Sequence, residues 1–146
     1  MGNMIGNLYA VRSGAAEVKD SPLFDWRNEE AFRYESHEGI YTASFELRYT
    51  KGPKYLLDLG KVCFTAEVIV NGKSAGKKLW APYEFEVTNF LRDGTNTIEV
   101  RVIPTLRNEF IHEANMGNKK YAQYKGRENS IMPAGLLGPV RILAVP

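Results

Sequence analysis

The chain has 146 residues, 44% of them apolar and 25% charged, with 19 Lys and Arg against 17 Asp and Glu. That length fits one domain of about 150 residues, and the apolar and charged fractions exclude wholesale disorder. A net charge of +2 leaves no electrostatic footprint for nucleic acid or a membrane surface, and no apolar run approaches the roughly 20 residues of a spanning helix.

Residues 1–36 read as an irregular N-terminal segment, broken at Ser21-Pro22-Leu23. They lack the basic start and the about 7–15 apolar residues of a signal peptide. Across Ile40–Thr50, Tyr41, Ala43, Phe45, Leu47 and Tyr49 share one face, while Thr42, Ser44, Glu46 and Arg48 share the other. A period of two is a half-buried strand. Lys51-Gly52-Pro53 ends it, and Lys54–Leu59 is the next apolar strand. Cys63 is the sole cysteine, so there is no intrachain disulfide and no cysteine-built metal site. Its apolar neighbours Val62 and Phe64 suit a small buried side chain rather than a nucleophile.

Thr65–Val70 leads directly into Asn71-Gly72, the strongest short hairpin signal because both residues tolerate positive φ. Lys73–Trp80 returns, Ala81-Pro82 turns, and Tyr83–Val87 alternates again. Thr88–Asp93 reads as one helical turn with Thr88 as its cap and Gly94 as its stop. Asn96–Ile103 points Ile98, Val100 and Val102 inward, and Val140–Val145 is the last strand. About seven short strands separated by turn residues predict an antiparallel sandwich or barrel. The 104–138 stretch, rich in Asn, Gly, Lys and Tyr, reads as one long loop. Loops of that length inside a domain are usually functional or disordered.

Several pieces follow one another in a familiar order. They are Glu38-Gly39-Ile40-Tyr41-Thr42, Leu57-Asp58-Leu59-Gly60, Ala66–Gly72, Gly76, Trp80-Ala81-Pro82-Tyr83, Val87-Thr88, Leu91, Asp93–Asn96, Ile98–Val102 and Leu136–Val140. Together they resemble the sugar-binding jelly-roll domain of family 2 glycoside hydrolases, a galactose-binding-like module also found in large α-L-rhamnosidases. The resemblance runs from Gly39 to the C-terminus, interrupted by 111–130. It implies an all-β jelly-roll β-sandwich of two antiparallel sheets. It also implies a non-catalytic carbohydrate-binding or ancillary domain of a bacterial glycoside hydrolase. The partners would be a carbohydrate and the catalytic domain of the parent chain, in the periplasm or outside the cell if the parent is exported. In the rhamnosidase-like branch an aromatic is frequent where Leu106 stands and an Arg where Glu109 stands. Asn108 fits the pattern, and the two departures weaken the transfer of substrate contacts.

Hydrolysis in retaining glycosidases needs two carboxylates about 5–5.5 Å apart, which in family 2 belong to a separate barrel. Glu84, Glu86 and Glu99 alternate with apolar residues and read as solvated; Glu109, Glu113 and Glu128 fall in the long loop. No catalytic residue is assigned, and the chain is not expected to be an enzyme on its own. His37 and His112 are the only histidines, and no metal-ligand, nucleophile or phosphate-loop motif is present. The resemblance leaves a structural calcium open near Asp20, Asp25 and Glu29, with no EF-hand spacing to support it; no other cofactor is implied.

A pyranose offers an apolar face for stacking and hydroxyls for planar polar partners. Trp80, Tyr83, Arg107, Asn108, Glu109, Tyr121, Tyr124 and Arg127 are therefore the expected carbohydrate contacts, with Asn115 and Asn129 nearby. The plainer account makes Trp80 a packing residue and Tyr121 and Tyr124 anchors of their own loop. Lys119, Lys120, Lys125 and Arg127 lie among these tyrosines as in single-strand binders. Glu109, Glu113 and Glu128 dilute that charge, so a solvated loop is preferred. The alternatives in function are a purely structural or protein-interaction sandwich without a sugar site, and a small stand-alone lectin-like protein.

Overall fold

Alternation is what the backbone obeys. Side chains along a strand point to opposite faces in turn, and the apolar set on each strand is the buried set. A computed structural model describes residues 3–4, 8–127 and 131–146. Its strands are β1 (Asn3–Met4), β2 (Tyr9–Ser13), β3 (Ala16–Ser21), β4 (Gly39–Leu47), β5 (Lys54–Asp58) and β6 (Lys61–Cys63). They continue with β7 (Thr65–Val70), β8 (Lys73–Lys78), β9 (Glu84–Glu86), β10 (Gly94–Ile103), β11 (Gly135–Gly138) and β12 (Arg141–Val145). One α-helix among the described residues, α1 (Arg107–Asn115), stands among them.

Six strands form one sheet in the order β3-β2-β4-β10-β7-β8, and four form another in the order β1-β12-β5-β9. Strands β6 and β11 make a short pair. All of these strand pairings are antiparallel. Val11, Tyr41, Val68, Ile98 and Val100 from the larger sheet join Tyr55, Leu57, Phe85 and Ile142 from the smaller in one core. Burying each such side chain contributes about 1.5–3 kcal/mol. The expected all-β sandwich is the observed fold.

The turn residues do more than turn. Asn71 (φ 49°) and Gly72 (φ 84°) reverse the chain between β7 and β8. The Asn71 amide also donates to the Phe90 carbonyl and to Asn96 Oδ1, each at 2.8 Å, and accepts from the Thr97 N–H at 2.9 Å. Asn96 is fully buried. Its amide donates to the carbonyls of Arg92 (2.8 Å) and Gly94 (3.2 Å), and its oxygen also accepts from the Arg92 N–H at 2.9 Å. All four of its hydrogen-bonding positions are thereby used.

Three segments differ from the sequence reading. Within 1–36, β2 and β3 form a hairpin on the edge of β4, with Tyr9, Val11 and Ser13 buried in alternation. Within 104–138, α1, a 3-10 segment at Lys119–Tyr124 and β11 replace the long loop. The turn at Thr88–Phe90 is 3-10, and Thr88 does not cap it. Its hydroxyl instead accepts the Tyr55 N–H at 2.9 Å.

The core is organised around Trp26, which is fully buried. Its indole N–H donates to the Tyr41 hydroxyl oxygen at 2.8 Å, and the Leu136 N–H donates to the same oxygen at 2.9 Å. Burial pushes the Tyr41 hydroxyl up to about 12, so it stays protonated. A methyl group at Gly39 or Gly135 would overlap the indole. Next to the indole, Asp25 accepts from Arg27 Nη2 at 2.7 Å and from the Arg27 and Ala134 N–H groups at 3.0 and 3.4 Å. Burial raises the Asp25 carboxyl, but these bonds outweigh it and hold the group below its ordinary value.

Two outcomes follow from this arrangement. Tyr41→Phe leaves the indole and Leu136 donors unpaired, at about 1–3 kcal/mol for each group; urea unfolding should show a lower midpoint at unchanged slope. Because the folded Asp25 is the stronger acid, its contribution is present above the unfolded value of 3.8 and fades as pH falls through the folded value. Asp25→Asn should therefore be less stable than the parent at pH 7, with the gap closing in urea melts taken toward pH 2.

Candidate functional site at the insertion end

Register places the candidate residues at one end of the sandwich. Lys78 at the end of β8 is level with Ala66, and Ala66 is level with Val102 near the end of β10. The segments 79–82 and 104–106 therefore leave the large sheet at the same end, two strands or about 10 Å apart. The residues flanking them, Tyr83 and Ile103, are both bonded to Phe64. The Tyr83 hydroxyl donates to the Phe64 carbonyl, and the Phe64 N–H donates to the Ile103 carbonyl at 2.9 Å.

From Ile103 the chain enters α1. The Thr105 hydroxyl accepts the Arg107 N–H at 3.2 Å, and Glu109 in the first turn suits the positive end of the helix dipole. Asn108, Ile111 and Ala114 form the buried face. Asn108 pairs like a strand residue with Met132, donating to its carbonyl at 2.8 Å and accepting its N–H at 2.6 Å. Across the helix, Phe110 stacks on Tyr121 with centroids 4.6 Å apart and meets Tyr124 at 5.6 Å. The Arg107 guanidinium lies 5.8 Å from the Tyr124 ring and the Lys120 ammonium 5.5 Å from Tyr121. The insertion is also fastened to the segment before β4. The Ser36 hydroxyl donates to Glu109 at 2.6 Å, and Tyr34 stacks on His112 at 4.5 Å.

The expected contact residues therefore separate. Arg107, Asn108, Glu109, Tyr121 and Tyr124 come together in the insertion, where the two tyrosine rings pack on Phe110. Asn108 and Tyr83 are buried and offer no face to a sugar; one holds α1 down, and the other closes the 79–82 segment. Arg127 is exposed and Trp80 is 73% exposed, the one largely exposed aromatic among the described residues. Glu128 and Asn129 lie outside the described residues. Sequence reasoning missed Phe110, Ser36, Tyr34 and His112. Ile111 and Ala114 at helical spacing were the available signal for α1.

The carboxylates have other commitments. Glu99 holds Arg101 at 2.7 Å, Glu113 accepts from Asn118 at 3.1 Å, and Glu84 and Glu86 are exposed on β9. Asp25 is bonded to Arg27, while Asp20 and Glu29 are exposed. Among the described residues no three His, Cys, Asp or Glu side chains gather as a cation site would require. A cleft of about 190 Å³ between α1 and the 3-10 segment, lined by Ala114, Asn118, Lys119 and Lys125, is smaller than the roughly 300 Å³ at which ligand pockets begin.

Residues 14–133 match the profile of the glycosyl hydrolase 2 galactose-binding domain-like family. A putative β-glucuronidase of Formosa agariphila is 28% identical over 159 aligned residues, covering 86% of this chain and 14% of that protein. The rhamnosidase of Novosphingobium sp. PP1Y superposes with a TM-score of 0.84 at 27% identity, covering 97% of this chain and 15% of the enzyme. The β-D-glucuronidase of Dictyoglomus thermophilum shares the fold, with a TM-score of 0.62 at 23% identity over 72% of this chain and 20% of its own. The chain thus spans about one seventh of the first two proteins.

Burial separates structural from surface residues in a measurable way. Asn108→Ala leaves both Met132 backbone groups without their partner and should cost about 1–3 kcal/mol. Trp80→Ala should stay within about 0.5 kcal/mol, both read from urea unfolding of the same preparation.

Proposed function

We propose that this chain, which belongs to the glycosyl hydrolase 2 galactose-binding domain-like family, serves as a non-catalytic ancillary domain of a bacterial glycoside hydrolase. It braces the catalytic domain and borders its substrate. The observation that carries this reading is the likeness of nearly the whole chain to one small part of a much longer rhamnosidase.

The chemistry supports it. Glycoside hydrolysis uses two carboxyl groups placed across the scissile bond. Here Glu99 is neutralised by Arg101 and Glu109 is bonded to Ser36, while Glu84 and Glu86 sit in solvent on an edge strand. None is held in the apolar pocket that raises a general acid. A direct sugar contact is the second reading, favoured by the open indole of Trp80, since a pyranose stacks on such a ring.

The purified chain should release no nitrophenol from a panel of aryl glycosides that includes a rhamnoside and a glucuronide. Turnover that survives repurification would place catalysis in this chain and end the ancillary reading. A glycan array run on the same material tests the second reading, which requires a binding signal that Trp80→Ala abolishes.

A further inference from the structure

We infer that His37 is a proton-operated latch on the insertion: charged, it tightens α1 against the segment before β4, and uncharged, it lets α1 loosen. The latch belongs to this chain alone and works whichever domain accompanies it. Residues 34–37 carry it. On one side they meet the β2–β3 turn. The Ser13 hydroxyl donates to the His37 carbonyl at 2.8 Å. At Gly14 (φ 56°) a Cβ would lie 3.0 Å from the Glu35 carboxylate and 3.1 Å from His37 Nδ1, so this turn closes on the pair only with glycine. On the other side they meet α1. The Ser36 hydroxyl donates to Glu109 at 2.6 Å, and the Tyr34 ring lies on His112 at 4.5 Å. One short segment thus joins the β2–β3 hairpin to the insertion.

The charges at that joint need His37. The Glu35 side chain is 17% exposed and that of His37 70%, and a carboxylate mostly withdrawn from water needs a partner. Glu35 has the His37 imidazole at Nδ1 and the His37 N–H at 3.3 Å. From α1, the Glu109 carboxylate also acts on His37. The β2–β3 turn offers only the uncharged Ser13 and Gly14. Glu38, next in sequence, acts on Arg101, and His112 is engaged with Tyr34. A protonated His37 therefore attracts one carboxylate of its own segment and one of α1. Glu35 first, and then Glu109, hold the imidazole above its ordinary 6.5. The tie is complete below 6.5 and fades as pH rises through the raised value. Above it, α1 keeps the Ser36 bond and the Tyr34 stack and loses the attraction of Glu109 to a cation.

Nuclear magnetic resonance of the 146-residue chain, titrated from about pH 5 to about pH 8, tests this. The amides of Ser36 and of α1 should shift with the same midpoint as the His37 imidazole, above 6.5. Hydrogen-exchange protection factors in α1 should fall about two- to fivefold across that midpoint, the range of a single exposed ion pair. His37 is exposed, so His37→Gln keeps the fold, and it should abolish the shared inflection. Glu109→Gln keeps an acceptor for Ser36 and removes the charge, so the His37 midpoint should drop. Amides of α1 that stay flat while the imidazole titrates overturn the latch. An unmoved His37 midpoint in Glu109→Gln overturns it as well, because the charge then does not reach α1. An inflection that survives His37→Gln and vanishes in His112→Gln moves the sensor to the ring on Tyr34 and has the same effect.

Discussion

The structure depends on one hydroxyl. Tyr41 is buried near the start of β4, and its oxygen receives the Trp26 indole from before that strand and the Leu136 amide from near the end of the chain. Three segments far apart in sequence thus meet at one atom, inside a core where an unpaired polar group is costly. The geometry tolerates no substitute at the glycines on either side, because a Cβ at Gly39 or Gly135 would occupy the indole's space. The two glycines therefore answer to a tryptophan as well as to their own backbone. Asp25 extends the same tie by accepting the Ala134 amide while neutralising Arg27.

A second device recurs, the use of asparagine amides in place of backbone. Asn96 bonds Arg92 through both its N–H and its carbonyl, Asn71 reaches Phe90 and Thr97, and Asn108 bonds Met132 at both groups. In each case an irregular segment passes a sheet edge or corner and has no ladder to satisfy it. The amide carries a donor and an acceptor with nearly the geometry of a peptide, so it closes the ladder. These residues look like turn formers or sugar ligands in the sequence and are structural in the fold.

The regular part of the fold was legible because β4, β7 and β10 are long enough to display their alternation. Asn71-Gly72 likewise needed only local information. The hairpin β2–β3 was not legible: its buried set of Tyr9, Val11 and Ser13 is short, ends in a polar residue and lies between weakly patterned neighbours. Helix α1 shows few apolar residues, and Leu106 at its N-cap position has no side-chain group to cap it. Its burial depends on Met132, outside the helix altogether. Tyr83 was legible and was misplaced. It alternates with Phe85 and Val87, so strand periodicity already set it on the buried face, and its proximity to Trp80 argued for exposure only by association. Whether a ring at a turn faces solvent depends on what crosses above it, and here that is the Phe64 carbonyl.

The same reasoning explains why the open surface lies where it does. The exposed outer face of β4 carries Thr42, Ser44 and Glu46, and that of β10 carries Thr95 and Thr97, so that face of the sheet is finished against water. That outer row ends on β10 at Ile103, which is exposed, as are Leu79 and Trp80 after β8 and Leu106 before α1. The stacking of Phe110 on Tyr121 and the bond from Ser36 to Glu109 tie α1 to the 3-10 segment and to the segment before β4. The insertion is thereby held against the body of the domain.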